Sequence, residues 1–184
     1  MKGLDPRRAG LVCAVAALVT GATVAGCAQQ IQGVATPNAA EASAYRDAAT
    51  SSSAAATSSR IAAARNKAIS DNCTLFPGTT GTGVAKYNEF VDAHDNNAPD
   101  YDAKRDAAVT ALDNAANTVE GGVNTAGGDL PEELKTKFVD YVTAARDLSQ
   151  ATREMTYTSP VGPLNDASKR VNDARNAVRD ACPA

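Results

Sequence analysis

From about Ser58 to the end of the chain, apolar residues return every three or four positions. That is the period of one face of a helix, and alternating strand-like runs are absent. Ile61, Ala64, Ala68 and Ile69 make the first such face, which runs to Cys73. Pro77-Gly78 and Gly81-Thr82-Gly83 then predict a loop. Val84, Tyr87, Val91 and His94 follow at helical spacing and stop at Asn96-Asn97. Pro99 stands near the start of a helix faced by Ala108, Leu112, Ala115 and Val119. Gly121-Gly122 and Gly127-Gly128 bracket a predicted loop after it.

The clearest pattern spans about Pro131 to Met155. Leu134, Phe138, Tyr141, Ala145, Leu148 and Met155 form its stripe, with Val142 alongside and charges opposite. Asp129, Pro131, Glu132 and Glu133 read as a helix start: a capping residue, an early proline, acids in the first turn. After Ser159-Pro160-Val161-Gly162-Pro163, the residues Leu164, Ala167, Val171, Ala174, Val178 and Ala181 repeat at three and four as a short heptad seam. The predicted fold class is all-α, a bundle of four or five helices joined by short loops. Small alanines let such helices approach closely, yet each buries little area. With eight aromatics and no tryptophan, the core is thin and benefits from a covalent staple.

The N-terminal pattern differs. Lys2, Arg7 and Arg8 form a basic flank, Leu11 to Val24 is an apolar run too short for a comfortable span, and Val24-Ala25-Gly26-Cys27 ends it. This segment resembles the signal peptide and lipobox of a bacterial lipoprotein. The stretch Ile31-Gln32-Gly33-Val34-Ala35-Thr36-Pro37 and the alanine-rich composition resemble the actinobacterial and mycobacterial type. The resemblance implies cleavage before Cys27, lipidation of its sulfur and anchorage by acyl chains, two or three of which hold a protein stably on a membrane. It implies three regions: a cleaved signal peptide over 1–26, a lipid-anchored Ala/Ser/Thr-rich tether over 27–57, and a helical bundle domain over 58–184. The Ala/Ser/Thr run from Ala48 to Ser59 cannot bury a core, and reads as a flexible stalk or a frayed helix.

Export also settles the cysteines. Cys13 leaves with the leader and Cys27 takes lipid, so Cys73 and Cys182 remain, in an oxidising compartment where a bridge is the default. Removing the leader's net charge of +2 takes the formal −3 to −5. An acidic exported domain is a poor fit to nucleic acid.

Chemistry-bearing motifs are few. His94 is the only histidine; Asp92, Asp95, Asp100 and Asp102 lie around it. That cluster lacks the glycine and closing glutamate of a calcium loop. His94 and Tyr87 are both possible axial ligands of a haem. Gly78 to Gly83 is followed by no phosphate-loop lysine, and there is no Gly-x-Ser-x-Gly elbow. Asn72-Cys73-Thr74 is formally a glycosylation sequon, discounted because a bridged Cys73 leaves it little room. No catalytic residue, cofactor or metal is expected. The reading is a non-catalytic lipoprotein on the outer face of the cytoplasmic membrane, held by Cys27 and contacting an envelope protein partner. The alternative is an exported carrier of an apolar ligand, a lipid or haem.

Overall fold

The computed structural model describes residues 38–183. The leader, the lipobox and Cys27 lie outside the described residues. The chain divides into two units, Met1–Ala42 and Ser43–Ala184, and the second builds the bundle.

Four α-helices account for it, with no strand among the described residues: α1 (Ala39–Asp95), α2 (Tyr101–Ala126), α3 (Glu132–Arg153) and α4 (Gly162–Ala181). The segment read as a stalk or frayed helix is helical from Ala39. Alanine carries the best helix propensity, and Asn38 Oδ1 accepts the Ala40 N–H at 3.1 Å to cap the first turn. Hydroxyls along this part donate back to carbonyls one turn earlier, Thr50 to Arg46 at 2.8 Å and Thr57 to Ser53 at 2.9 Å. Residues 43–63 are exposed throughout, so this stretch of α1 has no core of its own. Ile61, expected on a core face, is 62% exposed.

The loop expected over residues 77–83 is absent. α1 runs straight through Pro77 and the glycines as one 57-residue helix. A proline inside a helix costs about 3 kcal/mol. Against that stand Phe76, Tyr87 and Phe90, each worth about 1.5–3 kcal/mol when buried and exposed here by 2%, 8% and 0%. Burial wins because the stripe Ala68, Asn72, Phe76, Thr80, Gly83, Tyr87, Phe90 holds its spacing of four and three across the putative break. Gly83 belongs to it: its α-carbon faces Leu112 and Ala115 of α2.

Gly121-Gly122 likewise lies inside α2 rather than in a loop. The chain turns later, at Gly127, whose φ of +54° suits a residue without a β-carbon. α3 is not capped by Asp129, which sits in a short 3-10 turn (Gly127–Asp129). Pro131 takes the cap position with no side-chain bond, and its carbonyl receives the first helical N–H, from Lys135, at 2.9 Å. The stripe predicted for α3 is buried along its whole length, Met155 just beyond it included, and α4 buries Leu164, Ala167, Val171 and Val178.

Phe76 joins the helices at the centre. Its ring meets Phe138 edge-on at 5.5 Å and Tyr141 at 5.0 Å, a favoured aromatic geometry. Burial pushes the Tyr141 hydroxyl up to about 12. Cys73 and Cys182 are bridged, with α-carbons 5.7 Å apart. Cys73 does not close a helix, as the loop reading implied; it lies mid-way along α1, so the bridge ties the middle of α1 to the end of α4.

Candidate functional site

The described surface offers two places where chemistry-bearing side chains gather. The first lies where the loop between α1 and α2 meets the loop between α3 and α4. Phe90 and His94 from α1, Tyr101 from the start of α2 and Tyr157 after α3 stack together. His94 faces Tyr157 with ring centres 5.9 Å apart, and Tyr101 meets Tyr157 at 4.3 Å. Both tyrosines are tied down at their hydroxyls. Tyr101 donates to the Met155 carbonyl at 2.8 Å, and Tyr157 to the Ala98 carbonyl at 2.9 Å. Each loop is thus pinned by an aromatic residue next to the other. His94 Nδ1 lies 3.2 Å from Asp95 Oδ1, while Nε2 is buried with no hydrogen-bond partner. A cavity of about 180 Å³ adjoins it, walled by Phe90, Val161 and Leu164.

Tyr87 is elsewhere. It lies two turns before His94 on α1, about 10 Å along the axis, and lines a different cavity of about 240 Å³ with Leu112, Leu148 and Val171. Ser168 of α4 lines the same cavity, and burial raises the pKa of the Tyr87 hydroxyl. The structure therefore does not bring His94 and Tyr87 to one site. Two residues stacked along one helix face cannot flank a single porphyrin plane. Among the described residues, no group of three or more His, Cys, Asp or Glu side chains is placed to hold a metal ion.

The second place surrounds the disulfide. A groove of about 670 Å³ opens between α1 and the end of α4. Ile69, Phe76, Pro77 and Pro183 line it with the two bridged cysteines, and Arg179 stands at its edge. Sequence reasoning found the bridge but missed the groove, because it took Pro77 for loop and gave Arg179 no role. The buried Asn72 was also missed as a packing residue. Its Nδ2 donates to the Ala68 carbonyl at 2.9 Å, and its amide presses on Gly122 of α2. At 8% exposure Asn72 has no surface for a glycan, so the sequon is structural.

Ion pairs cover the remaining faces. Lys86 and Lys104 both bond Glu89, at 2.7 and 2.9 Å, and their hydrogen bonds hold its carboxyl down at about 2. Arg146 of α3 grips Glu120 of α2 at 2.7 Å, and Arg153 reaches Asp113 at 3.0 Å. No described helix is long and apolar enough to cross a membrane.

Fold and surface together define an all-helical bundle, bridged by one disulfide, with a solvent-exposed helical extension. Residues 54–183 match the Rv2240c four-helix bundle domain, and the chain belongs to that family. No curated protein and no solved structure matches it.

Proposed function

We propose that this chain is a lipid-anchored protein of the cell envelope, held at Cys27 on the outer face of the cytoplasmic membrane, whose bundle is a non-catalytic interaction or assembly module. The observation that carries the reading is the long first helix. It begins about a dozen positions after Cys27 and stays exposed over 43–63, about 30 Å of rise. A tethered module gains reach from such an extension. Two further observations support a non-catalytic role. The single histidine is spent on stacking, its Nδ1 beside Asp95 and its Nε2 buried. The aromatic residues Phe76, Phe138 and Tyr141 meet edge to face and fill the space where their helices join.

The test is Cys27→Ala. Metabolic labelling with a fatty-acid probe should tag the native chain and not the variant, and the variant should leave the membrane fraction. Acyl chains supply most of the membrane affinity, and an acidic bundle adds none towards anionic headgroups. Equal labelling of the two proteins rules the anchor out.

A further inference from the structure

The geometry points to a binding site for a long-chain carboxylate, or another single-chain anionic amphiphile, in the groove beside the disulfide. Three observations converge there. The groove, at about 670 Å³, falls within the range of small-molecule sites. Its floor is apolar: Ile69 and Pro77 on α1, Pro183 after α4, and the Cys73–Cys182 bridge between. Along α1 it extends from Asn66 to Pro77, about 16 Å at 1.5 Å per residue. That is roughly the reach of a dozen extended carbon–carbon bonds of about 1.5 Å each.

The third observation is charge. The other arginines of α2, α3 and α4 have polar partners. Arg105 pairs with Asp102, Arg146 with Glu120, Arg153 with Asp113 and Arg170 with Asp147, and Arg175 reaches the Thr80 hydroxyl. Arg179 has no hydrogen-bond or ion-pair partner among the described residues. A chain with net charge −3 thus leaves this guanidinium unpaired, at the rim of an apolar groove of about 670 Å³. A guanidinium accepts a carboxylate through two parallel N–H bonds, and the apolar floor takes the chain that follows. The site is independent of the anchor at Cys27 and goes beyond the tethering role.

The experiment uses the full chain with Cys27→Ala, so that no attached acyl group competes, in its disulfide-bonded form. Dodecanoate and dodecanol are titrated below their micellar range and followed by backbone amide shifts. Dodecanoate should saturate, moving the amides of Ile69, Thr74 and Arg179. Arg179→Gln, at an exposed position that leaves the fold intact, should weaken it about tenfold, the loss of one charge-assisted contact. Dodecanol should bind the native chain no better than dodecanoate binds that variant. Equal binding of acid and alcohol, or no effect of Arg179→Gln, overturns the assignment. So does a groove that ignores dodecanoate but accepts an acidic amphipathic peptide, or is covered by a second copy in sedimentation.

Discussion

Gly122→Ala gives the sharpest test of how α1 and α2 fit together. In an open helix interior this substitution stabilises by about 1 kcal/mol, because alanine loses less backbone freedom on folding. Gly121, one residue earlier on α2, meets nothing within 4 Å and should show that gain. At Gly122 the new methyl runs into the Asn72 amide. That amide is buried and bonded to the Ala68 carbonyl at 2.9 Å, so it cannot swing away without losing its acceptor. Overpacking of this kind costs about 1–3 kcal/mol. The net is a variant less stable than the native chain by up to about 2 kcal/mol. In an Asn72→Ala background the obstacle is gone, and Gly122→Ala should stabilise by about 1 kcal/mol. The cycle therefore predicts a change of sign and a coupling of about 1–3 kcal/mol. Urea unfolding of the four proteins measures it, with Gly121→Ala as the reference. If Gly122→Ala stabilises the native background as much as Gly121→Ala does, the close approach of Asn72 is wrong.

Two other outcomes follow from the geometry. Replacing Cys73 and Cys182 together by alanine should lower unfolding stability by a few kcal/mol. Loop-closure entropy for a separation of 109 positions sets an upper value of about 4–5 kcal/mol; thiol titration of the unfolded, unreduced protein should find neither cysteine free, and two free thiols would refute the bridge. Glu89, held down at about 2 by Lys86 and Lys104, has a folded pKa below its ordinary 4.5. Its contribution to stability is complete above that ordinary value and is lost as pH falls towards 2. Glu89→Gln should then be less stable than the native chain at pH 6, with the gap closing by pH 2; a gap that does not change with pH would refute the double pairing.

Much of the fold was legible because helical periodicity is a long-range signal. The stripes of α3 and α4 could be read residue by residue, and so could the pairing of Cys73 with Cys182. The errors share one cause. Pro77-Gly78, Gly81-Thr82-Gly83 and Gly121-Gly122 are local breakers, and local propensity is weak against burial. The stripe Phe76, Thr80, Gly83, Tyr87 continues through the breakers, but two of its members are a threonine and a glycine, which do not register as core. Only the facing helix makes them so: Gly83 is buried because Leu112 and Ala115 stand opposite. The site was less legible still. The groove exists because α1 and the end of α4 converge at the bridge, and no spacing along one helix reports that. Arg179 stands out only once the partners of the other arginines of α2, α3 and α4 are known. His94 was singled out as the only histidine, yet its aromatic neighbours Tyr101 and Tyr157 come from other elements.

The position of the bridge changes how the protein carries load. Cys73 and Cys182 enclose everything between them in a closed covalent ring. A pull applied between the start of α1 and Pro183 runs down α1 to Cys73, crosses the sulfurs and leaves at Cys182. The rest of α1 and all of α2, α3 and α4 sit off that path. Tension can uncoil the N-terminal half of α1, residue by residue, but it cannot peel the bundle apart while the sulfurs stay joined. Under load the long helix is an extensible element and the bundle a part that keeps its shape.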